Sequence, residues 1–362
     1  MSKIPFDEKE LKVVGETPNR LGGGTAKLFD TPVSLKEGAV DCYKKHDPIW
    51  IPTGVEAVNF CPSIQPDNIA RGFVIEGHPW PEKYTTYKDM FGVEWVFVDQ
   101  VGGAMVKPGS PMLEDISQWR DVVKFPNIDE WDWEGSAEAN KEFLSTGKAN
   151  VMMLLNGCWF ERLISFMDFE GAAMALIDED DVEYVKELTH EMTSLYLHLI
   201  DLSVKYYPLD GICIHDDWGS QMAPFFSENV AREVYLPEMK RFVEHVHSKG
   251  LYCELHSCGH NESRIQVFVD AGFDAWTPMD MNNTVDLYER FGDKIAIGVI
   301  NDRPFDPETA TEEEQRASAR EFAERFCKPG TFCSFSHYNR TQLTDAFREE
   351  LYKASRIAYS RG

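Results

Sequence analysis

Positive charge is scarce in this 362-residue chain: 36 Lys and Arg stand against 61 Asp and Glu, for a formal net charge of −25. No cluster of Lys and Arg occurs anywhere, which argues against nucleic acid and anionic membrane surfaces as partners, because both need one. The chain also lacks any run of about 18 apolar residues, the length a membrane-spanning helix requires. Its start, Met1-Ser2-Lys3-Ile4-Pro5-Phe6-Asp7, has no apolar signal core followed by a small-residue cleavage site. A cytoplasmic location is therefore expected. Regular cysteine spacing is missing too. The eight cysteines are scattered, which fits reduced thiols, one or two of them used as ligands, better than a disulfide framework.

What is present suits a large α/β domain. The hydrophobic fraction of 43% can build a core. Residues 1–33, rich in Gly, Pro and Lys and without a sustained period, read as an N-terminal arm lying on the surface or on a partner subunit, which makes a homodimer reasonable. The folded body is expected over 34–362. It opens with a capping box, Ser34-Leu35-Lys36-Glu37, whose side chains can satisfy backbone donors at the start of a helix. Eight short apolar runs follow as strand candidates: Ile49–Pro52, Glu94–Val98, Val151–Leu155, Gly211–His215, Leu251–His256, Phe273–Trp276, Ile295–Ile300 and Thr331–Phe335. Helical patterns lie between several of them. Asp181 to Tyr207 carries one apolar stripe at three- and four-residue steps, Ser227 can cap the next helix, and Thr341 to Arg361 is amphipathic. Strands alternating with helices imply parallel pairing through crossovers, and eight of them imply a single closed (β/α)8 TIM barrel.

Most of the runs end in a polar or ligating group: Thr53, Asp99, Asn156, His215 with Asp216 and Asp217, His256 with Cys258, Asp280, Asn301 with Asp302, and His337. A barrel builds its active site at this end of its strands. Turn preference alone also puts Asp and Asn there, but it does not account for His256, Cys258 and His337. An imidazole and a thiol two residues apart on extended backbone point to the same side and can bind one soft cation such as zinc. A second candidate segment carries Cys333 and His337.

The stretch Asp216-Asp217-Trp218-Gly219-Ser220-Gln221, then Phe226-Ser227 and His256-Ser257-Cys258-Gly259, resembles the uroporphyrinogen decarboxylase superfamily. The branch it looks most like contains the corrinoid-dependent and coenzyme M zinc methyltransferases. The likeness runs from about Ser34 to Arg356 and takes in Asp47-Pro48-Ile49-Trp50-Ile51-Pro52, Phe91-Gly92-Val93-Glu94-Trp95, and Gly157 with Glu161-Arg162. It implies one (β/α)8 barrel with a pocket at the strand carboxyl ends. It also implies zinc held by the His-x-Cys of the fifth strand and a Cys after the eighth. This chain departs at the last position, where His337 falls, so the resemblance implies a His256, Cys258, His337 site. Cys333 is the rival third ligand. Four residues of strand span about 13 Å, so Cys333 sits far deeper than His337 while His256 is at the rim. Glu254 shares the parity of His256 about 7 Å below it, where it can act as a fourth ligand or as an acceptor behind one.

Three ligands with an open fourth position are what a catalytic zinc needs. The resemblance implies zinc acting as a Lewis acid on the leaving heteroatom while a methyl group passes to or from the cobalt of a separate corrinoid protein, since no corrinoid-binding segment is visible in this chain. A methoxylated aromatic is the favoured small-molecule donor, given Trp50, Phe60, Trp159, Phe160, Phe166, Trp218, Phe225, Phe226, Trp276 and Tyr338 near the strand ends; a coenzyme M-like thiol acceptor is the alternative. Asp216 and Asp217 are expected to orient a ligand, bind substrate or supply a proton, although either can simply cap a loop. Glu161 and Arg162 can form an ion pair, and His215, His260 and Asn261 are expected to be structural. A true decarboxylase needs arginines for a polyanionic tetrapyrrole, and Thr53-Gly54-Val55-Glu56-Ala57-Val58-Asn59-Phe60 offers none. A metal-binding barrel without catalysis is the remaining alternative.

Overall fold

The computed structural model of the protein describes residues 4–18, 25–46, 48–100, 102–336 and 341–361. Its strands, in chain order, are β1 (Val13–Pro18), β2 (Thr25–Phe29), β3 (Ala57–Phe60), β4 (Thr86–Lys88), β5 (Glu94–Val98), β6 (Gly103–Val106), β7 (Ala149–Leu154), β8 (Gly211–His215), β9 (Tyr252–Ser257), β10 (Ala275–Pro278), β11 (Ala296–Val299) and β12 (Cys333–Phe335). The chain divides into two compact units, one formed by Met1–Val58, Gly147–Ala149 and Asp274–Gly362, the other by Asn59–Thr146 and Asn150–Phe273. The fold class is α/β of the (β/α) barrel type, with strands joined through helices.

In the second unit the strand order is β3-β7-β8-β9. The parallel register pairs Met153 with Cys213 and Cys213 with Glu254, and it places His215 opposite His256. Helices Phe160–Ala175 and Val182–Tyr206 separate β7 from β8, and Leu236–Ser248 lies between β8 and β9. The long helix buries Val185, Leu188, Met192 and Leu199 along the expected stripe. Ser227 caps the segment before Leu236–Ser248, accepting from the Val230 amide at 3.2 Å. Every residue of β8 is buried. On β9 burial alternates: Cys253, Leu255 and Ser257 are buried, whereas Glu254 and His256 are half-buried. The two-residue period of a strand thus gives β9 one packed face and one face that solvent reaches.

Glu94–Val98 is a strand, as its composition suggests, but not one of the parallel set. It is the middle of an antiparallel sheet ordered β4-β5-β6. The parallel strand near this point of the chain is Ala57–Phe60, whose alternating burial is too short to stand out from the loop-like Thr53-Gly54 before it; Gly54 sits at a φ of +92°. The sheet is fastened by Arg162, whose buried guanidinium bonds Asp89 Oδ2 at 2.7 Å and Asp67 Oδ2 at 2.5 Å. Arg162 therefore pairs with these two aspartates, and the expected Glu161–Arg162 pair does not form.

In the first unit β10, β11 and β12 are parallel neighbours. The expected strand at Ile49–Pro52 is irregular chain with a bend at Trp50, and it bonds β12 from the Phe335 N–H to the Pro52 carbonyl at 2.8 Å. Proline has no amide to continue a ladder, which limits the pairing to isolated bonds. The Trp50 indole lies against helix Leu35–Tyr43 at Gly38, where any Cβ would collide with it, and the capping box of Ser34 and Glu37 forms as expected. Within the first 33 residues β1 and β2 make an antiparallel hairpin. Glu10 ties this region to helix Asp345–Arg361, accepting from Arg356 Nε at 2.8 Å, Arg356 Nη2 at 3.0 Å and the Tyr352 hydroxyl at 2.7 Å.

Burial alone pushes the Glu10 carboxyl upward, but the Arg356 and Tyr352 donors outweigh it and hold the group below its ordinary value of 4.5. A carboxyl depressed in the folded state stabilises the protein above its unfolded pKa, and that contribution fades as pH falls through the folded value. Glu10→Gln should lower unfolding stability by about 3 kcal/mol near neutral pH, because it leaves Arg356 buried without its counter-charge. Denaturant titrations at neutral pH and near pH 4 should show the difference between wild type and variant shrinking on acidification.

Candidate metal centre

Two imidazoles and one thiol meet where β8 and β9 end. His215 closes β8, and the parallel register sets it beside His256 on β9; their rings lie 4.9 Å apart at 22°. Cys258 follows two residues later on the same side. Its Sγ is 3.5 Å from His256 Nε2 and 3.7 Å from His215 Nε2. His215 is buried, while His256 and Cys258 are half-buried, so the cluster has one shielded and two reachable donors.

Carboxylates hold this cluster from behind. Glu161 Oε2 is 2.9 Å from His215 Nδ1, and its other oxygen accepts from Arg71 Nη1 at 2.6 Å. Asp217 Oδ1 accepts the Cys258 amide at 2.7 Å and stands 3.3 Å from His215 Nε2. Burial would raise the Glu161 carboxyl, but Arg71 and His215 overcome it and bring the pKa down to about 2. Glu161 is therefore ionised and accepts a proton-bearing Nδ1. In the neutral ring this leaves the Nε2 lone pair facing Cys258. Burial works against a charge on His215, yet Asp217 and Glu161 raise its pKa well above the ordinary histidine value. Burial pushes the Cys258 thiol up, with the His215 hydrogen bond pulling the other way.

The position of Glu161 is set by Asp216. This carboxylate has no solvent exposure and caps helix Phe160–Ala175: Oδ1 accepts the amides of Trp159 at 3.1 Å and Glu161 at 3.2 Å, and Oδ2 accepts that of Phe160 at 3.1 Å and the Trp218 indole at 2.6 Å. Helix starts leave amides without partners and favour a negative charge. Burial, joined by the charge of Glu161, outweighs the Trp218, Trp159 and Phe160 donors and leaves the Asp216 carboxyl raised to about 7. The close approach needs Gly157, which sits at a φ of +68° with Asp216 Oδ1 where a Cβ would be. A second crossing point is Gly259, at a φ of +96°, where a Cβ would strike the Gly219 backbone. Around it the Trp218 amide donates to Ser257 Oγ at 3.2 Å, and Asn261 Nδ2 donates to Ser257 Oγ at 3.1 Å and to the Cys258 carbonyl at 2.7 Å.

Of the expected site residues, His256, Cys258 and Asp217 lie in the cluster. Glu254 is on the same face of β9, two residues before His256. Asp216 is next to the cluster in sequence but committed to the helix start. His337 lies outside the described residues, as does Tyr338. Cys333 belongs to the first unit, where it is buried with its Sγ 3.7 Å from the Phe326 carbonyl. His260 contacts the Met222 carbonyl and Glu262 at the surface, and Asn261 fastens the loop; both are structural, as expected. His215 is the residue that sequence reasoning set aside. The signal that would have found it is that the β8 and β9 runs both end in histidine. Trp50, Trp159, Trp218 and Trp276 are each at most 2% exposed and belong to the core, not to a substrate wall. A groove of about 470 Å³ lies away from this cluster, against Glu134, Lys141, Tyr206 and Pro208.

The donor set fits zinc. With Zn–S about 2.3 Å and Zn–N about 2.0–2.1 Å, sulfur and nitrogen on a tetrahedral ion stand about 3.6 Å apart, which the two S···N separations bracket. A carboxylate on the far nitrogen of a ligating histidine is also the usual support for such an ion. His215, His256 and Cys258 would hold the ion, with Glu161 behind His215.

No protein-family model matches the chain, and no curated protein matches it in sequence. Among solved structures it is similar to a methyltransferase from Methanosarcina mazei, with a TM-score of 0.58 and 14% identity over 89% of this chain and 98% of that one. A xylose isomerase-like TIM barrel protein from Mycobacterium smegmatis in complex with magnesium matches more distantly, with a TM-score of 0.35 and 12% identity over 64% of this chain and 82% of that one. At these identities the first likeness is one of fold.

The Gly157 geometry leads to a direct expectation. Gly157→Ala should cost about 2 kcal/mol or more, combining left-handed strain with displacement of Asp216. Gly250→Ala, at a φ of +75° with open space around the added methyl, should cost about 1 kcal/mol. Equal midpoints for the two variants in urea would contradict the role given to Asp216.

Proposed function

We propose that the protein is a zinc-dependent methyltransferase that moves a methyl group from a small donor, a methoxylated aromatic for preference, to the cobalt of a separate corrinoid protein. The observation that carries this reading is the convergence of His215, His256 and Cys258 at the ends of two adjacent parallel strands, with the S···N separations of a tetrahedral zinc site. The fold shared with the methyltransferase from Methanosarcina mazei agrees with it.

Zinc, when bound, supplies Lewis acidity toward the leaving heteroatom. The chain's own residues do the rest. Glu161 holds His215 so that Nε2 faces the ion. Asp217 fixes the Cys258 backbone, and with its side chain 23% exposed it is the carboxylate we assign to facing the substrate beside the ion. Glu254, below His256 on the solvent-reached face of β9, is the second such candidate. Asp216 acts by anchoring the helix that carries Glu161. Half-buried Phe225 packs on exposed Phe169 at 4.9 Å and on buried Phe160 at 5.8 Å; the two reachable rings favour an arene over an amine donor. The acidic charge of the chain would select a partner carrying a basic surface.

Metal analysis should find one zinc per chain. Cys258→Ala and His215→Ala should each lower zinc affinity by more than about 100-fold, Cys258→Ala with little change in melting temperature, and both should abolish cobalt methylation when methoxyarenes are mixed with reduced cobalamin and followed by absorbance. Cys333→Ala should keep its metal. Zinc-free wild-type protein, or turnover by Cys258→Ala at the wild-type rate, would overturn this reading.

A further inference from the structure

The carboxylate behind His215 has a partner of its own that the zinc reading does not require. Arg71 is the last residue of helix Pro66–Arg71, which Gly72 ends in the left-handed conformation at a φ of +75°. Its Nη1 donates to Glu161 Oε1 at 2.6 Å, and its guanidinium lies over the Trp95 ring, 5.6 Å from the centroid. Trp95 is 2% exposed and is itself held by Asp89, which accepts its indole N–H at 3.0 Å. A line of direct contacts therefore runs from the middle strand of the antiparallel sheet, through Trp95, Arg71 and Glu161, to His215.

Two physical facts give this line a consequence. Glu161 and His215 are both buried, and a carboxylate in such a place is ionised only when positive charge and donors compensate its lost hydration. Glu161 must also be oriented. With one oxygen taken by Arg71, the other is left aimed at His215 Nδ1, 2.9 Å away. Without Arg71 the carboxylate can rotate about its own torsion, and nothing else among its described side-chain partners replaces the bond.

We propose that Arg71 is a positioning residue for the candidate metal centre, fixing Glu161 so that His215 is held with its proton on Nδ1 and its Nε2 directed at the ion. The proposal deepens the zinc reading and rests on it for the identity of the ion. It assigns the antiparallel sheet a part in the site through Trp95. Burial opposes the charge on Arg71, but Glu161 and Asp217 more than restore it, in keeping with a guanidinium that remains charged there.

The test uses the full chain as wild type, Arg71→Met and Arg71→Lys. Arg71→Met should bind zinc about 10- to 100-fold more weakly in competition with a chelator, while Arg71→Lys, which keeps the charge and one donor, should come within a few-fold of wild type. In the metal-free proteins, the hydrogen-bonded Nδ1 proton of His215 should give a downfield resonance in wild type and Arg71→Lys that is lost in Arg71→Met. Unchanged zinc affinity together with an unchanged His215 proton in Arg71→Met would overturn the proposal. A wild type that takes up no zinc would remove the metal reading instead, and the proton resonance would still decide whether Arg71 sets the geometry of His215. Equal losses in both variants would mean that the site needs arginine for its packing alone, which also overturns it.

Discussion

One buried carboxylate governs the geometry of the site. Asp216 collects three amides at the start of helix Phe160–Ala175 and the Trp218 indole, so the end of β8 and the start of that helix are joined by a single carboxyl group. The helix can begin only where Asp216 lies. Because Glu161 is in its first turn, its side chain is delivered to His215, the residue just before Asp216. The helix start satisfies Asp216, and Asp216 in turn gives the amides the partners that a helix start lacks. Gly157 is the residue that makes this approach sterically possible.

The arrangement divides labour between strand and loop. Parallel register brings the two histidines together because it pairs His215, the last residue of β8, with His256, the last but one of β9, and strand parity carries the pair on to Cys258. The loops then hold the cluster in place through Asp217, Ser257 and Asn261. Carboxylates on two sides place the cluster in negative potential, which favours a bound dication; the dication, and not the carboxylates, would deprotonate the thiol that meets it. Shielded His215 and half-buried His256 and Cys258 leave one side approachable by a reactant.

Much of this was legible in the sequence where the signal is local. The capping box at Ser34, the stripe from Asp181 to Tyr207 and the apolar runs of β7, β8 and β9 are short-range patterns, and each appears where the chain places it. The His256 and Cys258 pair follows from strand parity alone. What the sequence hides is pairing at a distance. Glu161 reaches His215 across 54 positions and Arg71 across 90, so no spacing rule links them. Glu161 and Arg162, adjacent in the chain, suggest a pair; successive residues of a helix point about 100° apart, and each finds a separate partner. Glu94–Val98 was misplaced for a related reason: its composition says strand, but only the turns around it decide that it pairs antiparallel.

The central claim is that two imidazoles and a thiolate from neighbouring strand ends hold one zinc ion. X-ray absorption at the zinc edge of the loaded protein tests it most directly. The account predicts a first shell with one sulfur at about 2.3 Å and imidazole nitrogens at about 2.0–2.1 Å. A shell of oxygen atoms without sulfur would contradict it.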